Sequence, residues 1–326
     1  MLQKKIVDYL FSLADEEGGF QASAVANFLG VADGKVSEIA AATYAAEITQ
    51  TLGIEVPYPE KTLEYIQARQ HPDGYFRNLA PLPGVPTHAH LMYNTCVALR
   101  GLKALGKSPK YDPRQWLDSH VRTIASPIAP YIPDFYANSY AALQDEMKAD
   151  CFDRLADFLL SRQDEKTGWL FQPGVKENGL PFERNNPFTF HGTRVFHLAG
   201  QRIPMGDKIL ANFMKVQEDD GSWKLGGVHG TFDACVAIRM LSDNSKKYQK
   251  AIKRGADWAL TCQQEDGGFN HFGAKAIDGY IDNAHSEMDA CYFHICTLAM
   301  AGMLPFKIGY ENNWIGWGHS LMNGKN

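Results

Sequence analysis

Long apolar runs are missing from this sequence. No stretch of its 326 residues approaches the ~20 consecutive apolar positions of a membrane-spanning helix, which excludes a helical membrane protein. A surplus of positive charge is missing too: 32 Lys and Arg stand against 37 Asp and Glu, and no basic stripe forms. Nucleic acid is therefore not an expected partner. The six cysteines (Cys96, Cys151, Cys235, Cys262, Cys291 and Cys296) contain no CxxC pair, which argues against a disulfide framework or zinc ribbon and for reduced thiols. A secretory leader is not expected either: in MLQKKIVDYLFSLADEEGGF, Asp8 interrupts the apolar stretch and Asp15, Glu16 and Glu17 follow it. A cytoplasmic chain is expected. Disorder is excluded by 12% aromatic residues and the lack of any long charge block.

What the sequence does contain is repetition. KTLEYIQARQHPDGYF precedes HLMYNTCVALRGLKALG, and DRLADFLLSRQDEKTGW precedes HGTRVFHLAG. KILANFMKVQEDDGSW precedes HGTFDACVAIRMLSD, and AIKRGADWALTCQQEDGGF precedes HSEMDACYFHICTLAMAG. Each unit reads as an amphipathic helix, a turn from Gln through an acidic residue and Gly to an aromatic, and a second helix of small and apolar residues. The Gly of the turn supplies a positive φ, and the aromatic staples the turn. Two degenerate copies, IVDYLFSLADEEGGF with SEIAAATYAAEITQTLG and DPRQWLDSHVRTI with DFYANSYAALQDEM, complete six hairpins; the latter lacks the Gly-aromatic turn. Six hairpins predict an all-α fold, an (α/α)6 toroid over residues 1–303, with a tail at 304–326 flanking or lidding it. Three segments break the repeat: the Pro-rich 125–133, the polar loop 173–188 with Glu183 and Arg184, and the tail with Trp314, Trp317 and His319.

The repeated Q-x-x-D-G-x-F/W turn, followed by His229-Gly-Thr-Phe-Asp-Ala-Cys235 or Met288-Asp-Ala-Cys-Tyr292, resembles the superfamily of terpenoid cyclases (squalene–hopene cyclase-like) and protein prenyltransferase β subunits. The resemblance covers nearly the whole chain. It implies a toroid acting on an isoprenoid-like, hydrophobic small molecule, and leaves room for a second subunit or a homo-oligomer. It also implies zinc or another divalent metal at Asp289 and Cys291 and no nucleotide cofactor; the family's third ligand, a His from a later repeat, has no evident equivalent, and His285 is the imidazole expected to join the two. Two departures stand out. The cations that hold diphosphate in prenyltransferases are replaced by Asn283 and Ser286. The acidic D-x-D-D donor of the cyclases is absent, since Asp219-Asp220 lie in a turn.

Aligning the second helices places Ser37, His90, Asp134, His191, His229 and His285 at equivalent positions, a ring of His and Asp at the toroid mouth. Asp233 and Asp289 share its face at i+4, Tyr93, Arg194 and Phe232 lie at i+3, and Tyr292 at i+7. The expected catalytic set is His229, Asp233, His285, Asp289, His191 and Tyr292, and the expected substrate-binding set is His90, Tyr93, Asp134, Arg194 and Phe232. Such residues suit acid–base or metal-assisted cyclisation or isomerisation. Zinc-dependent prenyl transfer, a carbohydrate lyase or hydrolase on the same toroid, and a non-enzymatic binding toroid are the alternatives. His88 is expected in a solvated loop, and His197 and His294 packed inside helices.

Overall fold

Two kinds of helix alternate along the chain, and their burial tells them apart. In KKYQKAIKRGADWALT the buried Ala251, Ile252, Gly255, Ala256, Trp258 and Ala259 recur at helical spacing, whereas in MDACYFHICTLAM every residue except Asp289 is buried. The first pattern covers something on one side; the second is surrounded. In the computed structural model, which describes residues 2–24, 39–78, 87–123, 132–171, 182–223, 227–242, 245–273 and 285–304, this alternation builds six hairpins. Outer helices are α1 (Leu2–Ser12), α3 (Pro59–Gln67), α5 (Arg114–Thr123), α7 (Ala149–Leu160), α9 (Gly206–Lys215) and α11 (Lys246–Thr261). Inner helices are α2 (Ile39–Leu52), α4 (Thr87–Ala104), α6 (Ile132–Ala142), α8 (Phe182–Leu198), α10 (Gly227–Leu241) and α12 (Met288–Met300). Each inner helix packs on the next, and α12 packs on α2, so the ring closes. Among the described residues there are no strands, only isolated bridges, and no helix is long and apolar enough to cross a membrane.

The repeated turn is explained residue by residue. Its ends pair as an isolated bridge in five hairpins: Ala14 with Phe20, Gln70 with Phe76, Gln163 with Leu170, Gln217 with Trp223, and Gln263 with Phe269. The Gln side chain donates across the turn to its glycine carbonyl and onward to the following hairpin, as in Gln217 to Gly221 O and Ala251 O, both at 2.9 Å. Asp220 and Asp266 accept from amides two residues on. Gly221 and Gly267 both sit at φ +96°, and a Cβ on either would run into the backbone of the next outer helix, at Arg254 and at Lys5 respectively. The contact at Lys5 joins the last hairpin to the first. Gly221→Ala is therefore expected to lower Tm by several degrees, since the left-handed backbone alone costs about 1–2 kcal/mol; thermal unfolding followed by circular dichroism checks it.

Several expectations need correction. The turn after α7 holds one more residue than its fellows, so Leu170 takes the bridging position expected of Trp169. The polar loop placed at 173–188 is already helical from Phe182. His88 is a half-buried residue of α4 with its ring 6.0 Å from that of His120, so it is not in a solvated loop. Residues 125–131, 173–181 and 305–326, with the tail's Trp314, Trp317 and His319, lie outside the described residues, as do Ser37 and Asn283 and the side chains of Glu183 and Arg184.

Candidate active site

One repeated hydrogen bond fixes the relative heights of the inner helices. The amide of the turn's bridging residue donates to an inner-helix side chain: Phe76 to Thr95 Oγ1 (2.9 Å), Leu170 to Thr189 Oγ1 (3.0 Å), Trp223 to Thr231 Oγ1 (3.3 Å) and Phe269 to Cys291 Sγ (3.2 Å). These four acceptors are structural equivalents. Cys291 thus does the work of a threonine, and burial pushes its thiol pKa far up. Among the described residues it is not one of the donors that cluster with Asp289. Measured from this level, Tyr93, His229 and Asp289 stand two residues earlier, and His191, Asp233 and Phe293 two residues later. His90 is five residues earlier and His285 six. The ring read from the sequence is not level, because gaps between repeats shift the register: a four-residue offset is ~6 Å along a helix.

The upper layer joins three elements. His229 of α10 and Asp289 of α12 face each other at 3.8 Å (Nε2 to Oδ2), and His271, from the segment after the last turn, places Nε2 3.3 Å from Asp289 Oδ1 and 3.3 Å from Glu287 Oε2. The His271 carbonyl accepts the Val228 amide at 2.8 Å, which ties this segment to the start of α10 beside His229. Burial opposes charge on His271, but Asp289 and Glu287 outweigh it and raise its pKa. Burial pushes His229 down to about 4, with His271 adding to the effect and Asp289 opposing it. The His229 side chain is still 42% exposed and Asp289 26%, so both meet solvent inside the ring. Neither His271 nor Glu287 was expected from the repeat. The signal available was a histidine two residues after the turn's aromatic, where the second hairpin has Asn78 and the fifth Leu225. His285 is a half-buried residue ahead of α12 and is not among the clustered donors.

These donors pass a test for a divalent metal. His229, His271 and Asp289 can each offer one atom within 4.8 Å of the others. Tetrahedral Zn²⁺ with ligands at ~2.1 Å has edges of roughly 3.4 Å, close to the two separations above, and two His with one carboxylate is a catalytic zinc set. The expected set of Asp289, Cys291 and His285 does not fit.

The lower layer is an ion-pair network beside an isolated carboxyl. Asp134 of α6 is buried and receives His191 Nδ1 at 2.6 Å and Arg194 Nε at 2.6 Å, with Arg194 Nη2 also on its second oxygen. Burial opposes its ionisation, but Arg194 and His191 prevail, and Asp134 stays a carboxylate. Burial lowers the His191 pKa, with Asp134 opposing and Arg194 adding, so the ring is neutral at pH 7 and donates its Nδ1 proton to Asp134. One turn below His229 on α10, Asp233 is 4% exposed, and among the described residues its carboxyl has no hydrogen-bond partner. Burial, reinforced by Asp134 and only partly offset by Arg194, raises its pKa well above the usual carboxylate range. Its surroundings thus favour the protonated acid over the carboxylate.

The remaining expected residues divide. Tyr93 is half-buried, its hydroxyl 3.5 Å from that of Tyr44 and its ring 5.4 Å from Phe135, an aromatic wall beside the two layers. His90 is buried near the start of α4. Two others are corrected. Tyr292 is fully buried, stacked on Tyr44 at 4.6 Å, and its hydroxyl accepts from Arg100 at 2.9 Å, so it belongs to the packing beneath the site. Phe232 is likewise fully buried, between Phe190 and Phe293. Ser286, at an expected diphosphate position, donates to Asp266 at 2.7 Å. His294 is packed as expected, Nε2 on Asn270 O at 3.0 Å, and His197 is half-buried.

A family model described as "Prenyltransferase alpha-alpha toroid domain" matches residues 1–125 and 117–314. Solved structures share the fold at low identity. The type II terpene cyclase MstE from Scytonema aligns with TM-score 0.56 and 14% identity, over 93% of this chain and 98% of that one. Candida albicans protein geranylgeranyltransferase-I complexed with GGPP aligns with TM-score 0.58 and 11% identity, over 80% and 83%. The ent-copalyl diphosphate synthase from Streptomyces platensis aligns with TM-score 0.51 and 15% identity; 81% of this chain is covered, and it spans half the length of that protein. No curated protein matches the chain in sequence.

Proposed function

Because this chain belongs to the prenyltransferase alpha-alpha toroid domain family, we propose that it is an enzyme that cyclises or isomerises a hydrophobic, isoprenoid-like small molecule by proton transfer. The feature that carries this reading is Asp233, a buried carboxyl whose ionisation burial disfavours and which has no hydrogen-bond partner among the described residues, level with His191 on the neighbouring helix, whose protonation burial likewise disfavours. A pair of groups pushed to opposite roles is how a site runs acid and base chemistry at one pH. Asp233 gives its proton to an alkene carbon, which leaves a tertiary cation on the substrate and a carboxylate on the enzyme. His191, oriented through Nδ1 by Asp134, takes a proton at Nε2 from a carbon next to the final cation. Aromatic faces at Tyr93 and Phe293 suit the passing positive charge. Arg194 is occupied by Asp134, so it adds no net cation to the site. A cytoplasmic enzyme without a nucleotide cofactor completes the reading. The test is turnover of linear polyprenols and triterpene hydrocarbons in D₂O: product carrying one solvent deuterium supports it, and unlabelled product defeats it.

The His229–His271–Asp289 trio favours a second reading, metal-assisted chemistry on the same class of substrate. A bound divalent ion there would supply a Lewis acid and an acidified water. Protein purified without a metal-affinity tag is expected to hold about one zinc per chain. His271→Ala should lose it, whereas Cys291→Thr and His285→Ala should keep it. Elemental analysis decides; metal that survives His271→Ala removes this reading and leaves the proton-transfer one standing.

A further inference from the structure

At the end of the ring opposite the candidate active site lies a pocket of about 380 Å³. It sits where α4 ends, where the chain turns into α5, and where α6 ends, and Lys103, Lys107, Ser108, Asp112, Arg114 and Gln144 contribute to its lining. Lys103 is thirteen residues beyond His90 on α4, ~20 Å along the helix. Nothing in the chemistry proposed above involves this region.

Lys103 is the unusual residue. It is 8% exposed, and among the described residues its ammonium has no hydrogen-bond partner. A buried ammonium without an acceptor is unfavourable, and a lysine stem long enough to reach solvent usually avoids it. The end of its own helix offers no simple remedy, because the carbonyls of Gly101, Leu102 and Lys103 already accept from Leu105, Lys107 and Gly106. Burial accordingly pushes the Lys103 pKa down.

Two more cations line the same space. Arg114 directs Nε to Asp145 (2.7 Å) and Nη1 to Asp112 (2.9 Å), which leaves its Nη2 group uncommitted. Lys107 lies on the loop after α4 and is exposed. Three cations thus meet one lining carboxylate, Asp112, and a second carboxylate, Asp145, paired with Arg114, in a chain whose net charge is −5. Converging cations of this kind suit a multiply charged anion with several acceptor oxygens, and the volume is that of a small-molecule site.

We propose that this pocket binds a phosphate-bearing small molecule, with Lys103 as the buried cation that the phosphate oxygens neutralise and Lys107 and Arg114 flanking it. The proposal does not depend on the proton-transfer reading and fails or stands separately. Titration calorimetry with inorganic pyrophosphate, and in parallel with inorganic phosphate, is the experiment. Wild-type protein is expected to bind pyrophosphate at one site per chain. Lys103→Met, which keeps the buried stem, should weaken binding tenfold or more, Lys107→Ala by less, and His229→Ala at the opposite end not at all. Thermal unfolding of each variant separates a folding defect from a lost contact, and Lys103→Arg, which keeps the charge, should retain part of the affinity. Tighter pyrophosphate than phosphate assigns a diphosphate ligand, and equal affinities assign a single phosphate group. The proposal is overturned when wild type binds neither anion, when Lys103→Met binds as well as wild type, or when binding is lost in His229→Ala instead.

Discussion

Asp233→Asn is expected to cut turnover by about a thousandfold, the scale of a general acid, and at the same time to make the folded protein more stable at neutral pH. The two effects share one cause. The pKa of the Asp233 carboxyl is raised in the folded protein because burial disfavours its charge, with Asp134 adding to the effect and Arg194 only partly offsetting it. In the unfolded chain it ionises near the ordinary carboxylate value of ~3.9. Between those two pKa values the folded state binds the extra proton, so wild-type stability falls as pH rises through that window. Asparagine cannot ionise, so the variant escapes this loss, and its advantage should grow from pH 4 towards pH 8. Urea unfolding across that range, beside initial rates, reads both. Activity should also decline on the alkaline side as Asp233 loses its proton in the folded enzyme. A variant that keeps its rate, or that is less stable than wild type at pH 8, removes Asp233 from the role of acid.

The fold was legible in the sequence because its evidence is local and repeated. Gln217, Gly221 and Trp223 each have a turn-specific job, and the same jobs recur at Gln70, Gly74 and Phe76, so one motif predicts the architecture five times over. The site was legible only in part. His229, Asp289, His191, Asp134 and Arg194 do assemble, yet not as the level ring that aligning histidines suggested. Their heights depend on which inner-helix residue accepts the turn amide, and that acceptor is Thr95, Thr189, Thr231 or Cys291. Hydroxyl and thiol look unrelated in a sequence, so the alignment anchored on the wrong residues. The same blindness promoted Cys291 to a metal ligand. His271 escaped notice for a different reason: it belongs to no repeat, and only the bond between its carbonyl and the Val228 amide carries it to His229.

Arg100→Met is expected to cause the largest loss of stability, about 3–5 kcal/mol, the usual result of stranding a buried charge. Arg100 of α4 is 5% exposed and Glu47 of α2 is 1% exposed; Nε donates to Glu47 Oε1 at 3.0 Å and Nη2 to Oε2 at 2.5 Å. Nη2 also donates to Tyr292 on α12, so one guanidinium spans the first, second and last hairpins where the ring closes. Methionine preserves much of the volume but leaves the Glu47 carboxylate without its cation, and burial then drives its pKa up further, with only Tyr292 and the more distant Arg194 opposing it. Glu47 must take a proton to remain folded, so the deficit should be smallest in acid and grow once the pH exceeds the folded-state pKa of Glu47 in wild type, which burial already raises. For a chain of this size the Tm should fall by roughly 4–7 °C at neutral pH. The double variant Glu47→Met with Arg100→Met separates charge from packing: with no stranded carboxylate it should recover most of the loss. Thermal and urea unfolding of the two variants at pH 5 and pH 8 measure this. If Arg100→Met unfolds within about 1 kcal/mol of wild type at pH 8, a scale typical of exposed ion pairs, the ring is held by the apolar contacts of α2 with α12 alone. Asp289, carried on that same α12, would then owe nothing of its position to the ion pair beneath it.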